Sequence, residues 1–202
     1  MEFPAVSFCN INDYRWSKME GTTFFSIISG DLGFDALTGP EYANASKQAN
    51  HRLDDMLYEC KINFMLDARR APEKCTSANF SVFYQSQGEK CFTINTGVKG
   101  SHIANVKEGG MSKSLEMIIN LEHYEYFDKK DTGVRLIIHD QDETPIRFSG
   151  VALSPGYTSY VEVRKTEVRF IFNSMKHEGQ RRTSTFLKHT TAHISESETS
   201  LN

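Results

Sequence analysis

Four cysteines constrain this 202-residue chain more than any other feature of its sequence. Cys60, Cys75 and Cys91 lie within residues 60–97, and Cys9 lies in an apolar run close to the first residue. A bond from Cys9 to Cys91 would tie the first strand to the middle of the chain. Four cysteines allow three pairings, and their spacing alone does not choose among them.

The sequence has features of a protein that folds outside the cell. Asn44 and Asn79 each begin an Asn-x-Ser glycosylation pattern. Together with an even number of cysteines, these patterns favour an oxidising compartment. The chain has no signal peptide and no apolar stretch long enough to cross a bilayer. We therefore expect it to be a fragment of a longer membrane protein.

The pattern of apolar residues predicts mainly strands, which lie around residues 3–10, 80–84, 92–94, 115–121, 134–138, 149–153 and 157–172. A helix is predicted from Ser46 to Cys60, where apolar side chains recur at helical spacing. Residues 1–175 are predicted to form a folded domain. Residues 176–202 are rich in Ser, Thr and charge, and this low-complexity tail is predicted to be disordered.

Several classes of function are excluded or disfavoured by composition and motifs. The formal net charge is −3 with both signs interspersed, which argues against a nucleic-acid partner. No nucleophile elbow and no nucleotide-binding loop occurs, so we predict that the chain is not an enzyme and holds no cofactor. The carboxylates that follow His139 are interpreted as an exposed acidic loop, and no metal site is predicted.

Four acidic residues stand close together among aromatic ones at Glu122, Glu125, Asp128 and Asp131. Such a cluster is typical of a solvated turn between two strands. Carboxylates crowded against each other or against aromatic side chains can also have raised pKa values. These four residues are therefore candidates for binding protons or another extracellular ligand.

Short blocks of the sequence, taken in order, resemble the degenerin/epithelial sodium channel superfamily, which includes acid-sensing and peptide-gated channels. The blocks are residues 3–12, 55–60, 88–95, 115–118, 125–126, 138–145 and 153–156. The resemblance covers roughly residues 3–172. It implies an α+β extracellular domain in which an antiparallel β palm and β-ball carry a short helical finger. It also implies that Cys9 pairs with Cys91 and Cys60 with Cys75.

The resemblance implies a function as well as a fold. The parent would be an amiloride-sensitive, ligand-gated sodium channel subunit that assembles with others as a trimer at the plasma membrane. Its extracellular ligand would be protons or a peptide. Sodium ions would pass only through a pore that this chain lacks, since neither membrane helix is present. The alternative is a secreted, truncated isoform that binds ligand or disturbs assembly and has no channel activity.

Overall fold

The computed structural model of the chain describes residues 2–63, 73–85, 88–97, 103–106, 114–127, 131–141, 143–146, 150–170 and 184–198. Its α-helices are α1 (Trp16–Met19), α2 (Thr23–Ile28), α3 (Gly39–Ala49) and α4 (Leu53–Met56). Its strands are β1 (Ala5–Asn10), β2 (Leu57–Ile62), β3 (Glu73–Lys74), β4 (Phe80–Tyr84), β5 (Lys90–Ile94), β6 (Leu115–Ile119), β7 (Val134–His139), β8 (Val151–Leu153), β9 (Tyr157–Phe170) and β10 (Ser184–Glu198). The paired strands are antiparallel, which confirms the predicted α+β, mainly antiparallel fold.

Strand β1 lies at the centre of a five-stranded sheet, whose order is β4-β5-β1-β7-β8. Every residue of β1 is buried, because the strand has a neighbour on each edge and packed side chains on both faces. Pro4 immediately precedes β1, where its missing N–H removes no hydrogen bond from the sheet.

A second sheet, with the order β3-β2-β6, shares a hydrophobic core with the first. Val6 of β1 packs with Cys60 and Ile62 of β2, and Phe8 packs with Met56. The Phe8 ring lies 5.5 Å from that of Phe92, measured between centroids. Alternation along β1 directs Val6 and Phe8 to this face, so the core lies between the two sheets.

Both disulfides that the resemblance implies are present in the structure. Cys9 of β1 faces Cys91 of β5 in the pairing register, with their Cα atoms 4.4 Å apart. The second bond joins Cys60 to Cys75, and the Cys75 amide donates to the Cys60 carbonyl at 3.0 Å. The Cys9–Cys91 bond therefore closes a long loop across the five-stranded sheet. The Cys60–Cys75 bond closes a short loop within that long loop.

Helices α1 to α3 form a separate small cluster. Tyr14, Met19, Phe24 and Ala49 are its buried side chains. The Thr22 hydroxyl accepts from the Phe25 amide and so caps α2. Thr38 and Glu41 form a capping box at the start of α3, which satisfies backbone amides that have no partner within the helix.

The predicted helix from Ser46 to Cys60 is helical in two pieces, is interrupted at residues 50–52, and is wrong from Leu57 onwards. Helix α3 ends at Ala49, only one turn of helix (α4) follows, and Cys60 lies in β2. Asn50 ends α3 because its side-chain amide donates to the carbonyls of Ser46 and Gly88, while its own backbone turns to ψ 149°. The apolar side chains of this stretch still face the core. From Leu57 onwards they do so as side chains of a strand, β2, which pairs with β6.

The chain divides into two compact units, Met1–Pro155 and Gly156–Asn202. In the second unit, β9 pairs antiparallel with β10 from Ser184 opposite Phe170 to Glu198 opposite Tyr157. Strand β10 lies within residues 176–202, for which the sequence predicts a disordered tail, and the domain boundary at residue 175 stays a prediction. A strand pair needs only backbone hydrogen bonds, and Thr and Val, which recur in these strands, suit extended backbone. Residues 176–183 and 199–202 of that tail lie outside the described residues.

Candidate functional site

The segment that follows β6, residues 120–127, carries two of the predicted sensing residues. Glu122 has left-handed backbone geometry with φ 52° and ψ 44°, and the 3-10 turn His123–Glu125 follows it. This conformation is uncommon for a residue other than glycine and costs conformational energy. The Asn120 side chain stabilises it by accepting from the Glu122 amide at 3.1 Å.

The left-handed turn directs the Glu122 side chain into the protein, where it contacts His51. Glu122 Oε2 lies 2.8 Å from His51 Nδ1, and the two residues are only 4% and 2% exposed. The Tyr124 hydroxyl donates to the other carboxylate oxygen at 3.3 Å. His51 lies just beyond the end of α3, so this contact joins the helical cluster to the strand framework.

The environment of His51 disfavours its charged form. Burial lowers the pKa of His51 below its ordinary value, and the positive charge of Arg15 lowers it further. The hydrogen bond and negative charge of Glu122 act in the opposite direction without reversing the shift. His51 Nε2 is buried and has no hydrogen-bond partner among the residues that the structure describes. Neutral His51 therefore donates from Nδ1 to the Glu122 carboxylate.

Tyr126 and Asn10 fix the same segment to the end of β1. The Tyr126 hydroxyl donates to Asn10 Oδ1 at 2.6 Å, and Asn10 Nδ2 donates to the Leu121 carbonyl at 2.9 Å. Burial raises the pKa of Tyr126 to about 12, so its hydroxyl stays protonated as the donor. The Tyr126 ring meets the His51 ring edge to face, with 6.1 Å between centroids.

Glu125 contacts α1 at the protein surface. Its two carboxylate oxygens accept from the backbone amide and the hydroxyl of Ser17, both at 2.9 Å. Next to it, Phe127 stacks on Trp16 with an interplanar angle of 5°. Within one short segment, Glu122 therefore binds the end of α3 and Glu125 binds the start of α1.

Of the other two predicted sensing residues, the structure describes only Asp131, which does not join this arrangement. Asp131 is exposed, in the turn that leads to β7. Asp128 lies outside the described residues. His51 was not predicted from the sequence, because it is separated from Glu122 by 71 positions and no local pattern distinguishes it.

The structure identifies no metal site in the parts of the chain that it describes, where no group of three potential ligands is found. His139 ends β7 and is buried, whereas Glu143, in the loop that follows, is exposed. Its Nε2 lies 2.8 Å from the Ser7 hydroxyl, and its Nδ1 lies 2.8 Å from the Asp140 carbonyl. These contacts engage both ring nitrogens within the protein.

Both candidate glycosylation sites are exposed. Asn44 lies on the outer face of α3, while Ser46 of the same pattern donates from the helix's buried face to the Gly88 carbonyl at 3.0 Å. Asn79 uses its side-chain oxygen to accept from the Thr76 amide at 2.8 Å, which directs its amide nitrogen away from that contact. Neither geometry obstructs a glycan on the asparagine nitrogen.

We expect N-glycans at both asparagines when the chain passes through a secretory pathway. Asn44→Gln and Asn79→Gln should each remove one mass step that is released by peptide N-glycosidase, and the double variant should remove both. Gel mobility before and after digestion checks this. Asn105→Gln, which lies in no acceptor pattern, is the matched control; unchanged mobility of the double variant would contradict the prediction.

Among the described residues, none of the helices has the length and apolar character needed to span a bilayer.

Comparison with known proteins connects this geometry to a family. Residues 34–189 match the profile described as amiloride-sensitive sodium channel. Acid-sensing ion channel 4 of Rattus norvegicus is 30% identical over 189 residues, which cover 84% of this chain and 33% of that protein. Acid-sensing ion channel 1C of Danio rerio is 26% identical over 202 residues, which cover 82% of this chain and 36% of that protein. The chain thus spans about a third of the length of these relatives. Because the family profile covers most of the chain, the protein belongs to the amiloride-sensitive sodium channel family.

Proposed function

We propose that this chain is an extracellular region of a ligand-gated, amiloride-sensitive sodium channel subunit, and that the ligand it responds to is the proton. The observation that carries this proposal is the buried contact between His51 and Glu122. Family membership and the similarity to acid-sensing ion channels support it. Assembly with further subunits as a trimer, and a place on the outer side of the plasma membrane, belong to the same proposal.

The chemistry of the pair explains how protons would act. A proton that binds His51 places a positive charge in a buried site that disfavours it, so the closed arrangement loses stability. An arrangement in which residues 120–127 release His51 to solvent binds that proton more easily. Acid therefore shifts the population towards the opened arrangement, and the contacts of Glu125 and Tyr126 carry this change to α1 and β1.

The sign of the pH dependence follows from the lowered pKa of folded His51. Unfolded His51 has a pKa of about 6.5, so between that pH and the lower folded value the unfolded chain binds more protons than the folded chain. The contribution of His51 to stability is therefore fully present above about pH 6.5 and is lost as the pH falls through this window.

We expect Glu122→Gln to lower the pKa of folded His51 further, because the substitution removes the negative charge that raises it. The imidazole resonances of His51, followed by NMR against pH, measure this pKa directly. His123→Gln is the matched control, since His123 lies in the same segment but is exposed, and the described partners of the Glu122 carboxylate are His51 and Tyr124. An upward shift or no shift in Glu122→Gln contradicts the proposed site.

Currents test the channel role. We would replace the aligned region of acid-sensing ion channel 1A of Danio rerio, which is 25% identical to this chain, with the present sequence and record acid-evoked, amiloride-blocked current. Glu122→Gln should change the pH of half-maximal activation, whereas His123→Gln should not. Surface biotinylation establishes that each subunit reaches the membrane. Surface-expressed chimeras whose proton response is the same in all variants would refute the sensing role.

A further inference from the structure

The five-stranded sheet ends on one side at β4, which pairs with β5 along one of its two edges. In the part of the chain that the structure describes, no strand lies beyond the other edge of β4. Alternate residues of an edge strand direct their backbone N–H and C=O groups away from the sheet, where another strand can bind them. The outer edge of β4 is therefore able to accept a further strand.

Strand β4 lacks the side chains that usually prevent an edge strand from pairing with another chain. Its five residues, Phe80–Tyr84, include no charged residue and no proline. Val82 is 47% exposed and Tyr84 is 44% exposed. An uncharged edge with exposed apolar side chains favours association with another strand.

The other edge strands of the two sheets carry such protection. Strand β8 has only three residues, and Pro155 follows two positions after its end. Strand β3 has two residues, and both are charged. Strand β6 includes Glu116, which is exposed. Short length, proline and charge all disfavour edge-to-edge pairing, so β4 is the edge at which a further strand would meet the least opposition.

The sequence of β4 is self-complementary in an antiparallel arrangement. If two copies pair about a two-fold axis at Val82, this residue meets itself, and Phe80 of each copy lies opposite Tyr84 of the other. These three residues lie on one face of the strand, so the arrangement forms an aromatic pair at each end and a β-branched pair at the centre. Ser81 lies opposite Phe83, and no like charges meet within the paired strands.

We propose that the outer edge of β4 binds the same edge of a second copy of this chain, and that an N-glycan on Asn79 prevents this association. Asn79 is exposed and immediately precedes β4. In the two-fold arrangement it lies opposite Gln85 of the second copy, so a glycan would stand at each end of the joined strands. A pair of five-residue strands buries a small area, so the dimer is weak and depends on concentration.

The inference goes beyond the proposed function, because it uses neither the His51–Glu122 contact nor a proton. It also predicts a different assembly. Pairing through β4 joins two chains, whereas the proposed channel joins three. The molecular mass of a complex therefore distinguishes the two proposals.

Loss of the Asn79 glycan tests the proposal. We would secrete the full, disulfide-bonded chain and its Asn79→Gln variant, and measure their mass by light scattering after size-exclusion chromatography at several concentrations. The parent chain should stay a monomer, and Asn79→Gln should approach twice that mass as the concentration rises. Ser81→Ala removes the same acceptor pattern but keeps the Asn79 side chain, and it should also dimerise. Asn44→Gln, which removes a glycan from α3, is the matched control and should stay a monomer.

Substitutions in the edge strands locate the contact. In the Asn79→Gln chain, Val82→Lys should restore the monomer, because it places two like charges opposite each other at the two-fold axis. Val151→Lys changes a similarly exposed valine in β8, and this control should leave the dimer unchanged. Val82→Cys should give a disulfide-linked dimer, because directly opposed residues of antiparallel strands have Cα atoms about 4.5 to 5.5 Å apart.

Non-reducing peptide mapping establishes that each variant retains the Cys9–Cys91 and Cys60–Cys75 bonds, so a misfolded variant is recognised as such. The inference is overturned if correctly bonded Asn79→Gln and Ser81→Ala both stay monomeric, or if the dimer persists in Val82→Lys. A parent chain that dimerises with the glycan on Asn79 in place, or that is secreted without this glycan, overturns the role of the glycan. A trimer that does not depend on Val82 would support the assembly of the proposed channel and reject pairing through β4.

Discussion

Replacing Cys9 and Cys91 together by alanine should lower the free energy of unfolding by about 4.5 kcal/mol, the largest effect that we expect from any disulfide in this chain. The bond joins positions 82 residues apart, and its removal frees a long loop in the unfolded state. Both cysteines are fully buried between β1 and β5, so the lost sulfur contacts add to the effect. Urea unfolding of the oxidised chain measures the change.

The second disulfide is the natural comparison for this prediction. Cys60 and Cys75 are 15 residues apart, and their replacement by alanine should cost about 3 kcal/mol in the same chain-entropy account. If the Cys60–Cys75 bond stabilises the chain as much as the Cys9–Cys91 bond, then the length of the closed loop does not determine which disulfide contributes more to stability. The effect would then have to come from local packing, since Cys60 and Cys75 also lie in the core between the sheets.

Phe8→Ala should lower the free energy of unfolding by about 3 to 5 kcal/mol, because it empties a fully enclosed position in the shared core. Phe8 contacts Phe92 of the neighbouring strand β5 and Phe80 of β4, and it packs in one cluster with Met56 of α4. Well-packed neighbours on all sides leave little room for collapse, which keeps the cost in the upper part of the range.

Phe34→Ala is the matched control for this substitution, because the same atoms are removed from a side chain that is 73% exposed. Its effect on stability should stay within about 0.5 kcal/mol. Equilibrium denaturation of both variants under one set of conditions gives the difference. Similar losses for Phe8 and Phe34 would mean that the core between the two sheets is not where this chain gains its stability.

The strands were largely predictable from the sequence because their pattern is local. Alternation of apolar and polar side chains predicted β6, and short apolar runs predicted β1 and β7 close to their observed bounds. The last part of the helix predicted from Ser46 to Cys60 was wrong for the complementary reason, because a strand begins at Leu57. Apolar residues three and four positions apart also occur where one turn of helix is followed by a buried strand. Only the pairing of β2 with β6 shows that the chain forms the strand here rather than a longer helix.

The candidate site could be predicted only in part. The resemblance implied the disulfides, and the cluster of acids drew attention to Glu122 and Glu125. His51 could not be identified, since its contact depends on two things that no local pattern contains. These are the left-handed turn at Glu122 and the place at which Asn50 ends α3.

The central position of β1 has a mechanical consequence. A strand that is hydrogen-bonded along both edges and covalently joined to one neighbour cannot slide by itself, so a pull on Asn10 displaces β5 and β7 together with it. The six residues of β1 span about 17 Å, and over that length β1 moves together with the strands beside it. A displacement of Asn10 at its hydrogen bond with Tyr126 would therefore move the whole of β1, including its start beside Pro4.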